Sequence, residues 1–439
     1  GMFDEAHKLS ATGGHCLVVQ LTTELLLDLA RDTLASGLQM ARGLQDWSGL
    51  ASGLERAARE LRLSAGKQWQ GAKLRWTSLE PEGIDQAAWL AAINLVCKAC
   101  EHLRVSLLMV NDLAPDFERL SVRSQELSQR AERFLQTCPA DAVRWVEVGQ
   151  QLRLVESPLD IAESVKNKML KLSPSNEPQT HKSWIFTSAT LGHEPKLKWF
   201  TEPCGVEQAE VLRVSSPFDY LRQASVYVPQ YMPKPSDPAH SAEVASLVGQ
   251  AIDVLVGRTL VLTTTLRALR AIGAALEQQF NERQDIEILI QGNLPKRELL
   301  ARFREGASQG GSACVLVASA SFWEGIDIPG DELALVVIDK LPFPPPDDPL
   351  IEARTKRLEQ NGKSSFIDYF VPEAAVSLKQ GAGRLIRRET DKGMLVVCDT
   401  RLTQMGYGRK ILAALPPMRQ LQTHDDFLTE LQVLVKILE

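Results

Sequence analysis

Two carboxylates stand side by side near the start of the chain, in the string Asp4, Glu5, Ala6 and His7. Nucleotide hydrolysis uses such a pair, because one carboxylate orients Mg²⁺ on the phosphates and the second polarises the attacking water. The alternative interpretation is the acidic start of a helix, with Asp4 near the N-cap. Four residues alone do not decide between these two interpretations.

A short string of small and hydroxyl-bearing residues, Ser188, Ala189, Thr190 and Leu191, follows the apolar run 184–187. Small side chains let a loop pack beside a phosphate site, and hydroxyl groups can bridge carboxylates to a second site. The plainer interpretation is a strand-to-helix turn in which Thr190 is the N-cap.

A third string, Phe322 to Gly330, follows an apolar run that reads as a strand. Gly325 allows the backbone to approach a ligand closely, and Asp327 can accept hydrogen bonds from a ribose hydroxyl or from a neighbouring arginine. This string is therefore a candidate ligand-binding loop.

A fourth string matches the pattern QxxGRxxR through Gln380, Gly383, Arg384 and Arg387. We expect a helix here, which would place the two arginines on one face at a spacing of i, i+3. Two guanidinium groups on one face repel each other unless an anion lies opposite them. A solvated basic face is the alternative.

The elements that position these strings fall into two blocks. From about Leu21 to Leu172 the apolar residues follow a helical period, which predicts a helical block. The C-terminal half instead alternates short Val-, Ile- and Leu-rich runs with helical segments, which predicts a parallel sheet flanked by helices, with ligands at the carboxyl ends of the strands. The predicted strands are Ser225–Val228, Thr259–Thr263, Ile286–Ile290, Cys314–Ala318, Leu333–Ile338 and Met394–Cys398.

The composition is that of a folded protein and sets limits on its partners. The 439 residues include 49 Lys and Arg against 55 Asp and Glu, a net charge of −6, so any contact with nucleic acid requires a local basic groove. Seven cysteines do not form a disulfide framework in a chain of this length, which indicates free thiols and a cytoplasmic location. The sequence contains neither a recognisable signal segment nor an apolar run long enough to span a membrane, so we expect no membrane partner.

The strings occur in the order DEAH, SATL, EGID and QxxGRxxR. In that order they resemble motifs II, III, V and VI of superfamily 2 helicases of the DinG/XPD family, in particular its bacterial DinG/YoaA-like members. The resemblance implies an ATP-dependent DNA helicase that moves 5′ to 3′ and acts in DNA repair or replication. It also implies ATP and Mg²⁺ as cofactors, single-stranded DNA and a replication or repair protein as partners, and a monomeric state.

The resemblance also assigns roles to individual residues. The catalytic set, in which the two carboxylates hold Mg²⁺, is Asp4, Glu5, Gln380, Arg384 and Arg387. The nucleotide-binding set is His7, Gly325, Asp327 and Gly383. The residues that couple nucleotide to DNA are Ser188, Ala189 and Thr190. The DNA-binding set is Thr263, Thr264, Thr265 and Arg267, which are similar to motif IV, together with the aromatic residues Trp323 and Phe343. These two rings could equally be core residues.

The family fold implies three parts of the chain. Residues 21–177 would form an all-helical, Arch-like insertion, and residues 218–439 the second RecA-like motor domain. Residues 1–20 and 178–217 would be a remnant of the first RecA-like domain.

A phosphate-binding GxxxxGK[ST] loop is missing from the sequence. Gly362, Lys363 and Ser364 form its one GKS string, but Arg357 stands where the pattern needs glycine, so we interpret this string as the end of a helix. We therefore expect a fragment that begins at motif II and is inactive alone. The alternative function is a catalytically dead module that binds single-stranded DNA or a partner.

Cys97 and Cys100 form a lone CxxC pair on or beside the apolar stripe of a predicted helix. Buried structural thiols are favoured there over a metal site. By the resemblance, an iron–sulfur cluster would belong to the longer parent and would have no ligands in this chain.

Overall fold

A computed structural model describes residues 2–7, 9, 18–170, 183–192, 194–306, 313–319, 322 and 333–438. The chain divides into two compact units. The first comprises residues 1–187, 200–207 and 345–363, and the second comprises residues 188–199, 208–344 and 364–439. The three-part division expected from the sequence stays a prediction.

Four long helices dominate the first unit: α1 (Thr23–Met40), α2 (Trp47–Ser64), α3 (Gln86–Leu108) and α4 (Pro115–Leu135). Side-chain oxygens of Thr22, Asp46 and Asp85 accept backbone N–H groups at the starts of α1, α2 and α3, and proline occupies the first position of α4. The helices therefore begin where the sequence supplies caps.

The predicted apolar stripe of α3 forms the core of this unit. All seven of its members are buried, and Trp89 packs edge-on against Trp76. Because these residues recur at intervals of three and four, the six within α3 lie on a single face of the helix, and Val110 follows just beyond its end. The stripe comprises Trp89, Ile93, Val96, Cys100, Leu103, Leu107 and Val110.

The prediction that this block is all-helical was wrong. It contains a four-stranded antiparallel sheet in the order β2-β5-β4-β3. The strands are β2 (Val19–Thr22), β3 (Ala72–Trp76), β4 (Ala142–Val148) and β5 (Leu152–Pro158).

Burial on both faces of this sheet hides the strand signal in the sequence. Val146 and Leu154 face the helical core, whereas Trp145 and Val155 pack on the opposite face against Leu350. A strand that is apolar on both faces loses the alternation by which a half-buried strand is recognised.

Helix α11 (Pro349–Gln360) packs on the outer face of this sheet, although it lies far along the chain. Lys73 Nζ approaches Asp348 Oδ2 at 2.6 Å, and Arg75 Nε donates to Glu352 Oε2 at 2.8 Å. Gly362 follows the helix at a φ of +75°, which matches its predicted place at the end of a helix and not in a phosphate loop.

The second unit is built on a seven-stranded parallel sheet in the order β13-β7-β12-β11-β8-β10-β9. The RecA-like α/β class predicted from the sequence is confirmed. The strands are β7 (Ala224–Tyr227), β8 (Thr259–Thr263), β9 (Ile286–Ile290), β10 (Ala313–Ser319), β11 (Leu335–Ile338), β12 (Gly393–Val397) and β13 (Arg419–Leu421).

Helices cover both faces of the parallel sheet and enclose two apolar cores. The sheet strands are therefore buried on both sides, as predicted from their apolar runs. The long helices of this unit are α8 (His240–Leu255), α9 (Leu266–Phe280), α10 (Lys296–Glu305), α12 (Val371–Ala382), α14 (Gly406–Ala414) and α15 (His424–Leu438).

Shorter elements complete the description. They are strands β1 (Met2–Phe3) and β6 (Ile185–Phe186) and helices α5 (Ile161–Ser164), α6 (Lys198–Cys204), α7 (Tyr220–Gln223) and α13 (Arg401–Gln404). In the part of the chain that the structure describes, no helix combines the length and the apolar character that crossing a membrane requires.

Candidate functional site

The acidic string at the start of the chain lies directly after strand β1. This strand pairs in parallel with β6, with Met2 opposite Ile185 and Phe3 opposite Phe186. The pairing continues beyond the strands, because the N–H of Thr187 donates to Phe3 O and the N–H of Ala6 donates to Thr187 O, both at 2.9 Å. The carboxylates therefore lie at the carboxyl end of a parallel pair, where α/β proteins bind ligands.

Asp4 is tied to the neighbouring strand through its side chain. Thr187 Oγ1 donates to Asp4 Oδ1 at 2.7 Å. This hydrogen bond, together with one from the backbone of Glu5, lowers the pKa of the Asp4 carboxyl. The group is thus ionised at neutral pH, and its exposed carboxylate and the adjacent hydroxyl are the hard oxygen donors that Mg²⁺ accepts beside substrate phosphates.

Glu5 adopts an unusual backbone conformation next to this carboxylate. Its φ is +52°, in the left-handed region that non-glycine residues seldom occupy. The exposed carboxylate lies 3.2 Å from Nδ1 of the buried His7. Strained backbone concentrates at functional sites, so the conformation favours a role for Glu5 over an ordinary helix start.

The SATL string forms a compact turn. Ser188 Oγ accepts the N–H of Thr190 at 3.1 Å and lies 3.3 Å from Thr190 Oγ1. The hydroxyl groups of Ser188 and Thr190 therefore lie together, with Ala189 between them. That these three residues couple nucleotide to DNA stays a prediction.

The helix of the QxxGRxxR string ends earlier than we expected. Helix α12 stops at Ala382 and Gly383 is its C-cap, so Arg384 and Arg387 lie in the turns beyond it. The prediction of two arginines on one helix face was therefore wrong. The N–H of Arg384 bonds to Gly381 O at 3.2 Å in a tighter turn, and two glycines within three residues weaken the helix.

The turn that carries Arg387 is held by two buried polar side chains. Asp391 Oδ2 accepts the N–H groups of Arg387 and Arg388, both at 2.8 Å. Gln223 Nε2 lies 2.9–3.1 Å from the carbonyl oxygens of Arg388, Glu389 and Asp391. The sequence offered no signal for Gln223, which lies far from the motif along the chain.

Positive charge concentrates around this motif, although the chain as a whole is acidic. Burial and the charge of Arg304 lower the pKa of Arg387, with Asp391 opposing them. Burial and the charge of Arg213 lower the pKa of Lys379, which directly precedes Gln380. A lowered pKa means that the cationic form is disfavoured, and a bound anion would reverse this effect.

The motif IV threonines lie at the carboxyl end of β8, where their polar groups serve the fold. Thr263 is fully buried, and its hydroxyl donates to the carbonyl of Thr265. The Thr265 hydroxyl in turn accepts the N–H of Ala268 at the start of α9. Arg267 is exposed on the first turn of that helix. The predicted contacts to DNA are not tested by this arrangement.

Asp339 links the motif IV loop to the end of strand β11. Its Oδ1 accepts the N–H groups of Thr264 at 3.0 Å and Lys340 at 2.8 Å. Burial raises the pKa of this carboxyl to about 7, against the opposing effect of Lys340. This residue escaped the sequence analysis because no motif contains it.

Phe343 belongs to a cluster of rings and not to an isolated platform. Its ring lies 5.5 Å from that of Phe366 and 6.1 Å from that of Tyr407, and the Arg401 guanidinium lies 5.5 Å from its centre. Arg401 is itself paired with the buried Asp399. The other predicted stacking residue, Trp323, lies outside the described residues, as do Gly325 and Asp327.

Cys97 and Cys100 lie on α3 as ordinary thiols. Cys100 is buried and Cys97 is half-buried. Burial raises the pKa of Cys97 to about 11 and that of Cys100 to about 12, so neither is a ready thiolate ligand. Among the described residues, no group of three or more His, Cys, Asp or Glu side chains could hold a metal ion.

Known proteins resemble this chain both over the parallel sheet and over nearly its whole length. The model of the helicase C-terminal domain family matches residues 248–418, which cover most of the parallel sheet. The ATP-dependent DNA helicase YoaA of Escherichia coli is 35% identical over 423 residues, which is 95% of this chain and 62% of that protein. The ATP-dependent helicase DinG of Mycobacterium tuberculosis is 38% identical over 210 residues, or 48% of this chain and 30% of that protein.

A solved structure titled XPD helicase shares the fold with a TM-score of 0.52 at 15% identity, over 96% of this chain and 68% of that one. The family match, the sequence likeness and the fold together show that this chain is similar to superfamily 2 helicases. Within that class the chain is DinG/XPD-like, as its motifs predict. It spans about three fifths of the length of its YoaA relative.

Proposed function

We propose that this chain provides the motor parts of an ATP-dependent DNA helicase. The observation that carries the proposal is the hydrogen bond from Thr187 to Asp4, which joins the acidic string to the strand leading into the SATL string. A carboxylate held at the end of parallel strands is the arrangement that Mg²⁺-assisted phosphoryl chemistry needs.

In this proposal Asp4 and Glu5 would hold Mg²⁺, Thr187 positions the Asp4 carboxylate, and Glu5 would also accept the proton of the attacking water. The ion, when bound, neutralises charge on the β and γ phosphates of ATP. Asp4 suits this role because its lowered pKa keeps the carboxylate ionised. His7 orients the Glu5 carboxylate through the 3.2 Å contact between them.

The arginines of the QxxGRxxR string supply the positive charge for the γ-phosphate. Arg384 and Arg387 are the proposed arginine fingers, and Gln380 and Gly383 complete the nucleotide contacts. The lowered pKa of Arg387 supports this role, because an anion would relieve the cost of its burial.

Single-stranded DNA is the proposed substrate, with movement from 5′ to 3′ in cytoplasmic DNA repair or replication. The loop after β8, which holds Thr264, Thr265 and Arg267, would contact phosphates, and Phe343 would contact a base. These assignments rest on the likeness of the motifs. A replication or repair protein is a further proposed partner, and the motor is proposed to be monomeric.

Hydrolysis by these 439 residues alone is not part of the proposal. Their sequence contains no GxxxxGK[ST] string, so hydrolysis would lack the loop amides and lysine of that string, and nucleotide would bind through the residues named above. The same omission favours the alternative function, a module that binds single-stranded DNA or a partner without turnover.

Binding measurements distinguish the motor from the module. We expect fluorescein-labelled oligothymidylate to bind the chain with an affinity that falls steeply as salt is added, because phosphate contacts release counterions. For a motor, millimolar Mg²⁺ and a non-hydrolysable ATP analogue change that affinity. For a module, they leave it unchanged. ATP hydrolysis by the chain at a helicase-like rate would contradict our account of the missing loop.

A further inference from the structure

An exposed tryptophan marks a surface of the first unit that the motor motifs do not explain. Trp69 lies in the loop between α2 and β3, and 72% of the residue is exposed. Its ring lies against Gly71, which has a φ of +95°. Single exposed apolar residues are common on protein surfaces, so the residues close to this ring decide what it indicates.

Basic residues close to this ring in sequence have no carboxylate partner among the residues that the structure describes. Most long basic side chains on α1, α3 and α4 form ion pairs, for example Arg104 with Glu101 and Arg123 with Asp32. Within the described part of the chain, four basic residues close to Trp69 in sequence form no ion pair, and one carboxylate, Glu60, lies among them. The four are Arg56, Arg59, Arg62 and Lys67.

Hydrogen bonds bring the loop and the end of α2 together. Arg62 Nη2 donates to the carbonyl of Gly149 in the β4–β5 turn at 3.2 Å, and the N–H of Gly71 donates to Val148 O in the same hairpin at 2.7 Å. Trp69 and the arginines of α2 therefore flank one turn. The two hydrogen bonds to the hairpin fix the position of the loop relative to the end of α2.

A groove of about 320 Å³ runs beside this turn, within the size range of sites that hold small organic groups. Arg59, Arg62 and Leu63 line it together with Ala58, and Glu55 is the one carboxylate on its wall. The groove thus combines an apolar floor with an excess of positive charge.

We propose that Arg59, Arg62, Lys67 and Trp69, together the Trp69 patch, bind single-stranded DNA on the first unit. A base would stack on the indole, and the cations would contact the flanking phosphates. This inference rests on the proposed function, which supplies the single strand. It adds a binding surface that lies outside all the helicase motifs.

The charge pattern favours a nucleic acid over a protein partner. Protein interfaces also favour tryptophan and arginine, but their centres are depleted of charge and disfavour lysine. Cations without ion pairs, on the helix end and the loop that carries this ring, match a strand that alternates phosphates with flat bases. If substitutions of these residues left the affinity for DNA unchanged, a protein partner would be favoured instead.

Substitution of the ring tests the proposal in the full chain. We expect Trp69→Ala to weaken binding of labelled oligothymidylate by about 5- to 150-fold, the loss of one stacked base. Trp69→Phe should retain most of the affinity because it keeps an aromatic face. Arg59→Gln with Lys67→Gln should reduce the slope of log K against log salt by about 1.4, since each phosphate contact contributes about 0.7.

Two matched variants control for lost apolar surface and lost charge. Met109, 70% exposed, lies at the other end of the bundle, where Gln45 contacts its sulfur, and Met109→Ala should leave the affinity unchanged. Arg119→Gln removes an exposed arginine that is already paired with Asp116, and it should also have no effect. Circular dichroism of each variant verifies that it is folded.

The outcomes separate this inference from the proposed function. If the wild-type chain binds DNA and Trp69→Ala binds equally well, the Trp69 patch is wrong and the motor proposal is untouched. If Trp69→Ala weakens binding but nucleotide never changes the affinity, the patch stands and the motor proposal fails. A wild-type chain with no affinity for oligothymidylate at low salt would overturn both.

Discussion

Thr187 Oγ1 lies 2.7 Å from Asp4 Oδ1, and this contact joins residues that are 183 positions apart in the sequence. It forms because the N–H of Thr187 bonds to Phe3 O and so continues the pairing of β1 with β6. The carboxylate of the acidic string is therefore positioned by the strand that leads into the next motif. A hydroxyl at the end of β6 thus lowers the pKa of an acid at the end of β1.

Removal of this hydroxyl should raise the pKa of Asp4. Thr187→Val deletes the donor without changing the side-chain shape, whereas Thr187→Ser keeps it. Because the folded-state pKa is lowered, the hydrogen bond stabilises the fold above the unfolded pKa and its contribution is lost as the pH falls. Carbon NMR titration of the aspartate carboxyls, with Asp4→Asn assigning the signal, measures the shift. An unchanged pKa in Thr187→Val would contradict the assignment.

Asp339 should make stability fall as the pH rises. Burial raises its pKa to about 7, so folding favours the protonated form, and this contribution is lost between the unfolded pKa of about 4 and the folded value. Asp339→Asn keeps an acceptor for Thr264 and cannot ionise. The free energy of unfolding of Asp339→Asn, minus that of the wild type, should therefore be larger at pH 8 than at pH 4. The increase should be on the order of 4 kcal/mol.

Urea unfolding at several pH values measures this difference. Asp285→Asn is the control, because Asp285 is exposed and the guanidinium of Arg283 lowers its pKa. That variant should not gain stability at high pH. Parallel pH profiles for the wild type and Asp339→Asn would show that the Asp339 carboxyl ionises normally.

Gln223 should stabilise the turn that carries Arg387. Gln223→Met has similar length but no donor, and it leaves three carbonyl groups without this amide. We expect a loss of about 1–3 kcal/mol in the free energy of unfolding. The same substitution at Gln230, whose amide bonds to Val228 O and the Thr403 hydroxyl at a more exposed site, should cost less. Equal losses in denaturant unfolding would mean that the buried carbonyl cluster is not held by Gln223.

Two glycines of the helical block should respond in opposite directions to alanine. A Cβ at Gly37 would overlap the indole of the buried Trp47, so Gly37→Ala should destabilise the fold by about 1–3 kcal/mol. A Cβ at Gly53 of α2 meets nothing within 4 Å. Gly53→Ala should therefore stabilise it by about 0.4–1 kcal/mol. Thermal unfolding of both variants gives the signs, and matching signs would contradict the packing described here.

Much of the fold was predictable because its patterns are local. Thr259–Thr263 was predicted as a strand with the bounds it has, and so was Ile286–Ile290. The sheet of β2 to β5 was missed because Leu350 packs on its outer face. The strands are therefore apolar on both faces and lack the alternation that marks a half-buried strand. Local periodicity cannot reveal a partner that lies almost 200 residues away.

The motif residues of the site could be predicted from the sequence, but the residues that hold them in place could not. Motif order identified Asp4, Glu5, Arg384 and Arg387, and each of these lies in a described turn or strand end. Thr187, Gln223 and Asp339 bring no pattern of their own and act through contacts distant in sequence. The end of α12 was also misplaced, since Asp391 captures backbone amides that a longer helix would have used.

The central claim is our proposal that the QxxGRxxR arginines bind the nucleotide that controls the affinity for DNA. Its most direct measurement is the affinity of the chain for labelled oligothymidylate, with and without Mg²⁺ and a non-hydrolysable ATP analogue. We predict that nucleotide changes this affinity several-fold in the wild type and has no effect in the Arg384→Ala, Arg387→Ala double variant. A nucleotide response that survives in the double variant, or that is absent from the wild type, would contradict the claim.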